Sequence, residues 1–337
     1  MKTYDVVVIG AGDVGVTIAF KASSEGLSVA LIDKGPVGGT CINVGCVPSK
    51  TLIAAADRIA EIREARKLGI QAEIVTIDFE TVMERMRHAV TSGRNSLREA
   101  LDDSENIVFY NKEGHFIDTY TVGVGDEKIR GKRIFIAAGT RPVIPLIKGL
   151  DTVDYLTNET LLDLKKKPDS MIILGGGYIA VEYGHFFSAL GTRVTILQRS
   201  ARLLVKEEPE ISEVLKNELG KYLEIYTNTE LKEVVQDKGG CCAMIRNTRT
   251  GEEKEISAEK ILIATGRRSN ADLLNVKNAG VETEEAHFIV VDRHLRTNKR
   301  NVWAVGDIIG RQMFTHAGDK EAEIAWQNAT KKKKITM

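Results

Sequence analysis

The chain has 337 residues, with 47 Lys plus Arg against 47 Asp plus Glu, so its formal charge is zero and its pI about 7.0. That length holds two or three domains at roughly 100–200 residues each, and balanced charge offers no basic field for nucleic acid. The 43% hydrophobic and 28% charged residues are ordinary for a soluble globular protein and exclude wholesale disorder.

The first element is Val6-Val7-Val8-Ile9, which ends at Gly10. It is of strand length, far from the ~20 apolar residues of a membrane helix. No signal-peptide pattern with a cleavage site follows, so the expected location is cytoplasmic. In a reducing compartment the cysteines Cys41, Cys46, Cys241 and Cys242 suit redox or metal chemistry better than a structural disulfide framework.

Gly10-Ala11-Gly12-Asp13-Val14-Gly15 then leads into a helical stretch, and the next strand ends at Asp33. A strand, glycine turn, helix and strand closed by an acid is the setting in which this spacing binds a dinucleotide. Gly10 makes the tight turn, Gly12 lets a pyrophosphate approach the backbone, and Gly15 lets helix and strand pack closely. Amides at the helix start face the anion, and Asp33 accepts from ribose hydroxyls. Residues 51–68 and 79–103 carry apolar residues at helical spacing, the second helix starting at Asp78 as N-cap. A further strand covers residues 133–138 and ends at Gly139.

The pattern repeats after a linker at 141–150. Met171 to Leu174 is a strand, Gly175-Gly176-Gly177-Tyr178-Ile179-Ala180 its turn, and Arg193 to Leu197 the next strand. Residues 260–264 lead to Thr265-Gly266, echoing Ala138-Gly139. Here Gln198 stands where the acid would be, followed by Arg199 and Arg202. An acid repels a ribose 2′-phosphate and an arginine pairs with it, so NADPH is expected over NADH. The expected fold is α/β with two Rossmann-like dinucleotide-binding domains, the second inserted in the first: residues 1–147, then 148–268, then 269–337. The run Lys331 to Lys334 is the one low-complexity stretch.

Gly39-Thr40-Cys41-Ile42-Asn43-Val44-Gly45-Cys46-Val47-Pro48-Ser49-Lys50 carries the most information. In a regular helix the rise between Cys41 and Cys46 is about 7.5 Å, beyond the ~6.8 Å Cα reach of a disulfide. A bridge therefore needs irregular backbone, with freedom at Gly45 and a disturbance at Pro48. Lys50 follows Cys46 by four residues, on the same face of a continuing helix, where its ammonium favours a thiolate. Buried inert cysteines and a zinc site shared with Cys241 and Cys242 are the alternatives, although vicinal cysteines fit zinc spacing poorly.

This segment, together with both glycine turns, resembles the class I flavoprotein pyridine nucleotide-disulfide oxidoreductases, the family of dihydrolipoamide dehydrogenase, glutathione reductase and mercuric reductase. The resemblance implies FAD at the first turn and the nicotinamide nucleotide at the second. It implies Cys41 as the interchange thiol and Cys46 as the charge-transfer thiol, bridged in the oxidised protein. Lys50 is implied near the flavin and paired with Glu182, and Tyr178 as the aromatic gate for the nicotinamide. Residues 297–307 resemble a second FAD motif whose Asp307 contacts the ribitol chain, and Met313, Phe314 and Thr315 line the flavin. Lys34, Gly39, Thr40, His115, Ala138 and Gly139 join the implied FAD contacts; Gly177, Ile179 and Gly266 join those of the nucleotide. His316, Cys241 and Cys242 receive no role, and no metal ligand set is assigned.

The family continues into a C-terminal dimerisation domain that supplies a His–Glu pair, and the chain is expected to lack it. The implied activity passes electrons from NAD(P)H through FAD to the dithiol and on to a small-molecule disulfide or a mercuric ion. Cys46-Val47-Pro48 and Gln198-Arg199-Ser200 favour the mercuric-reductase-like branch. Dihydrolipoamide dehydrogenase and a non-catalytic flavin-binding fragment are the alternatives. Neither nucleic acid nor membrane is expected as a partner, and the full-length form is expected to be a homodimer.

Overall fold

The computed structural model describes residues 1–331 and 334–337; Lys332 and Lys333, the middle of the lysine run, lie outside the described residues. The fold is α/β, and the chain forms two compact units. Met1–Asn43, Val90–Arg141 and Arg267–Met337 make the first, and Val44–Ala89 with Pro142–Gly266 the second.

In the first unit the sheet order is Ile107–Tyr110, Val29–Ile32, Lys2–Ile9, Glu127–Ile136, Thr121–Val124, Gly114–Asp118, with Val302–Ala304 also paired to Glu127–Ile136. The first four of these strands and Val302–Ala304 are parallel; the last two form an antiparallel extension. Val7 lies opposite Ala30 on one side and Ile134 on the other. A strand so placed is covered on both faces, which is why Val6 to Ile9 is uninterruptedly apolar and buried. The strand Glu127–Ile136 begins earlier and ends sooner than residues 133–138, because its first half pairs with Thr121–Val124. Helices Asp13–Ser24 and Thr315–Thr330 pack together. Phe135 stacks on Trp303 at 5.1 Å and meets Trp326 at 5.9 Å, which fastens the last helix to the sheet.

In the second unit a parallel sheet runs Glu224–Thr227, Arg193–Gln198, Ser170–Leu174, Lys260–Ile263, Tyr155–Leu156. An antiparallel sheet of Thr229–Asp237, Gly240–Asn247 and Glu253–Ala258 shares its core: Ile172, Leu174 and Leu197 cluster with Val234, Ala243 and Ile245. Cys241 lies in that cluster and is buried, which pushes its thiol pKa up, while Cys242 points to the other face. Helices Cys46–Glu64 and Tyr178–Ala189 pack against each other.

Two helix boundaries illustrate the local rules. Asp78 caps the helix Phe79–Asp102, its Oδ1 accepting from Thr81 N at 3.1 Å. Pro48, in contrast, does not disturb its helix. It is the third residue of Cys46–Glu64, where a backbone N–H has no intrahelical partner to lose. The interruption falls at Gly45 alone, with φ −129° and ψ −111°, between Gly39–Val44 and Cys46–Glu64.

Candidate active site

In the first unit Gly10 has φ +111°, and a Cβ there would sit 2.2 Å from the carbonyl oxygen of Ala137. The turn therefore rests directly on the strand end that continues into Ala138 and Gly139, whose carbonyls accept from Asn270. Gly12 precedes the helix Asp13–Ser24, and no side chain caps the helix start among the described residues. A Cβ on Gly12 would meet only Gly39 Cα, at 3.8 Å, so the space before these amides is open. A positive helix end with uncapped N–H groups and room in front of it has the chemistry to receive an anion. Gly15 is closed in contrast: its Cβ would fall 1.9 Å from Gly10 O.

Asp33 braces this turn. Its Oδ2 accepts from Ala11 N and its Oδ1 from Gly35 N, both at 2.7 Å. Gly38 N donates to Ala11 O at 2.8 Å, which lays Gly38, Gly39 and Thr40 along the glycine turn. Lys34 pairs with Glu113 at the surface at 3.1 Å, and the His115 ring lies over Gly123.

A second cluster of the same unit surrounds Asp307. Its Oδ2 accepts from Thr140 Oγ1 at 3.1 Å, and burial raises its pKa, opposed by the guanidinium of Arg267. Arg267 donates to Thr140 Oγ1 at 2.7 Å and Thr140 O at 2.8 Å, and reaches Thr40 Oγ1 at 3.5 Å. Thr315 opens the helix Thr315–Thr330, and its hydroxyl donates to Cys41 Sγ at 3.5 Å. Met313 is half-buried, while Phe314 and His316 are exposed. So Thr40, Cys41, Asp307 and Thr315 are drawn into one region of this unit.

In the second unit Gly175 repeats the device of Gly10: φ is +121°, and a Cβ would lie 2.2 Å from Ala264 O, just before Thr265 and Gly266. Gly177 precedes the helix Tyr178–Ala189, again without a side-chain cap among the described residues and with nothing within 4 Å of its virtual Cβ. Gln198 turns inward and donates to Arg202 O at 3.0 Å, while Arg199 is exposed. Tyr178 donates its hydroxyl to the Glu207 carboxylate, which raises the tyrosine pKa; Ile179 follows it half-buried. Cys46 is exposed at the start of its helix, and one turn on Lys50 Nζ lies 2.5 Å from Glu182 Oε1. His185 Nε2 meets Asp57 Oδ1 at 2.8 Å across the same helix pair.

Three of these residues carry no conspicuous sequence signal: Thr140, Arg267 and Glu207. A fourth, Glu321, does carry one. It stands three residues after Gly318 and four before Ala325, both buried, so helical spacing places a carboxylate on the apolar face. No group of three or more His, Cys, Asp and Glu is arranged to hold a metal among the described residues. None of the described helices is long and apolar enough to cross a membrane.

Two parallel-sheet units, each opening on a glycine turn and an uncapped helix, define the class of proteins with paired dinucleotide-binding folds. The chain belongs to the pyridine nucleotide-disulphide oxidoreductase family, whose defining pattern matches residues 4–329. It is 36% identical over 327 residues to a mercuric reductase of Lysinibacillus sphaericus, covering 97% of this chain and 60% of that protein. It is 33% identical over 327 residues to a dihydrolipoyl dehydrogenase of Geobacillus stearothermophilus, covering 95% and 68%. Among solved structures, the Cu(II) complex of the HOCl-induced flavoprotein disulfide reductase RclA of Escherichia coli superposes with a TM-score of 0.89 at 30% identity, over 100% of this chain and 73% of that one. The chain thus spans about 60% of the length of the mercuric reductase it matches.

Proposed function

We propose that the protein is an FAD-dependent NAD(P)H oxidoreductase whose electrons leave through a Cys41–Cys46 redox couple to a disulfide or a thiol-bound metal ion. One observation carries the reading: the dithiol segment ends on a helix whose Lys50 pairs with Glu182, on the helix that opens at the second glycine turn. The open, uncapped turns at Gly12 and Gly177 fit two pyrophosphates.

Bound FAD supplies a two-electron carrier between nicotinamide and dithiol. The chain's own residues bind and orient it. Gly10, Gly12 and Gly15 hold its pyrophosphate and Asp33 its ribose, while Lys34, Gly39, Thr40, His115, Ala138, Gly139 and Asp307 complete the contacts. Met313, Phe314 and Thr315 line the ring. Gly175, Gly177, Tyr178, Ile179, Gln198 and Gly266 receive the nicotinamide nucleotide, and Arg199 pairs with a 2′-phosphate. Lys50 favours the Cys46 thiolate. Toward a disulfide, the Cys41 thiolate attacks one sulfur and forms a mixed disulfide, and the leaving thiolate takes a proton. Cys46 then attacks the Cys41 sulfur, which re-forms the Cys41–Cys46 bond and releases the second thiol. The Thr315 hydroxyl, aimed at Cys41 Sγ, steadies the negative charge on that sulfur. Toward a soft metal ion, both thiolates act as ligands.

The metal branch is favoured by Gln198 in place of an acid, by Arg199, and by the mercuric reductases at 35–36% identity. Dihydrolipoamide dehydrogenase is the second reading, supported by relatives at 33% identity. The whole protein is proposed to act as a homodimer. Purified protein should be yellow, bleach anaerobically with NADPH, and oxidise NADPH in response to Hg(II) held by excess thiol. A colourless protein that takes up no FAD overturns the reading. Turnover of dihydrolipoamide with NAD⁺ but none with Hg(II) moves it to the second branch.

A further inference from the structure

Asp307, on the turn Gly306–Ile309, is half-buried, and its Oδ1 remains open to solvent. The other oxygen, Oδ2, is held from inside the first unit. Thr140 is buried and donates its hydroxyl to Oδ2 at 3.1 Å. Arg267 Nε donates to the same Thr140 hydroxyl oxygen at 2.7 Å, and Arg267 Nη2 donates to Thr140 O at 2.8 Å. Thr140 and Arg267 lie on the paired strands Thr140–Pro142 and Arg267–Ser269, where the chain leaves the first unit and returns to it.

A guanidinium has donors and no acceptor, whereas a threonine hydroxyl carries a single proton. With an N–H of Arg267 aimed at its oxygen, Thr140 is left to send its own proton onward, to Asp307 Oδ2. This chain of donors has one direction, and it ends on an oxygen that must accept. We propose that Arg267, acting through Thr140, is a positioning residue of the flavin site: the relay fixes Asp307 as an acceptor and leaves its open Oδ1 to a hydroxyl of the FAD ribitol chain. The inference rests on the flavin reading above and adds two residues which that reading does not use.

The charges around the turn give the relay its purpose. Burial raises the Asp307 pKa, and the Arg267 cation and the Thr140 hydroxyl oppose that rise. From the helix Thr315–Thr330, Glu321 accepts from Gly306 N at 2.7 Å, and Arg311 acts on Glu321 from beyond the turn. The helix Asp13–Ser24 opens with Asp13, and its Val14 would lie 3.3 Å from a Cβ on Gly306. Strand Val302–Ala304 brings only apolar and aromatic side chains, and Arg268 is engaged with Asp272 at 3.3 Å. With two acids near the turn, Asp307 depends on Arg267 and Thr140 to stay an ionised acceptor.

The test is equilibrium binding of FAD to the apoprotein, followed by flavin fluorescence at two pH values, about 5.5 and 8. Thr140→Ser keeps the hydroxyl and should bind as wild type does. Thr140→Val, close to threonine in shape, should bind about tenfold more weakly at the higher pH. At the lower pH it should bind more weakly still, because Asp307 then takes up a proton more readily. Arg267→Met should weaken binding in the same sense. Adding Thr140→Val to it should cost less than about a further twofold, since both variants cut one relay. Wild-type affinity in Thr140→Val, Thr140→Ser as weak as Thr140→Val, or full multiplication of the two single effects overturns the proposal. Carboxyl-carbon NMR of Asp307 in the apoprotein, assigned with Asp307→Asn, separates the two readings. A titration displaced to higher pH in Thr140→Val, in a protein that takes up no FAD, defeats the flavin assignment alone. An unmoved titration defeats the relay.

Discussion

Gly10 and Gly175 occupy the same geometry at the starts of the two turns, each with positive φ and each pressed on a carbonyl of a neighbouring strand end. An alanine must adopt a strained backbone and also push that strand away. Gly10→Ala should therefore cost at least about 2 kcal/mol, read as a lowered urea midpoint at unchanged slope. Where the two turns differ, the difference lies in what ends the following strand. Asp33 braces the first turn through two backbone amides, whereas Gln198 folds back onto Arg202 and leaves Arg199 in solvent. Arg199→Glu should shift the NADPH to NADH preference by about ten- to hundred-fold, since a charge-assisted contact contributes roughly 1.5–3 kcal/mol. An unchanged ratio of kcat/KM values would detach Arg199 from the 2′-phosphate.

Between elements, single polar side chains add to the apolar packing and the backbone ladders. Asp5 accepts from Ser28 N at 3.0 Å, Ser28 Oγ at 2.8 Å and Lys132 Nζ at 2.7 Å, so one carboxylate ties the strand Lys2–Ile9 to both neighbours. Lys132 and Ser28 hold its pKa down at about 2, against 3.8 ordinarily. A lowered carboxylate stabilises the fold above its unfolded pKa and loses that effect as pH falls through the folded one. Asp5→Asn should thus be less stable than wild type at pH 5–7, with the gap closing as pH falls from about 4 toward 2, measured by denaturation at each pH. The Lys50–Glu182 pair is different in kind. Its side chains are 61% and 28% exposed, so it contributes below about 1 kcal/mol. Lys50→Met should leave Tm nearly unchanged yet, on the role proposed for Lys50 toward Cys46, slow alkylation of the Cys46 peptide at pH 7 several-fold.

At this scale the sequence and the structure also part company. The strands around both glycine turns were readable, because buried parallel strands are unbroken apolar runs. The disturbance expected at Pro48 is absent, because a proline in the first turn of Cys46–Glu64 has no intrahelical hydrogen bond to lose. Arg267, Thr140 and Glu207 stayed hidden because their partners are 29 or more residues away, beyond any local periodicity. Glu321 was visible in principle, as a charge at an apolar helical position.

Taken whole, the molecule has no net charge near neutrality. Self-repulsion between copies is then least around pH 7. Light scattering at fixed concentration should show more association at pH 7 than at pH 9, and a minimum in association at pH 7 would contradict this.

The strand Lys2–Ile9 is coded well before one of its neighbours, yet it is hydrogen-bonded on both sides, to Val29–Ile32 and to Glu127–Ile136. The latter also pairs with Val302–Ala304, and the helix Thr315–Thr330 lies over Asp13–Ser24. The other unit is complete by Gly266. A nascent chain must therefore carry this apolar strand incompletely housed until Val302–Ala304 and Thr315–Thr330 emerge, after all of the other unit has been synthesised. Such delayed closure leaves strand edges exposed to wrong partners during synthesis. The demand on chaperones is set by how far downstream Val302–Ala304 and Thr315–Thr330 are encoded, independently of how stable the finished sheet becomes.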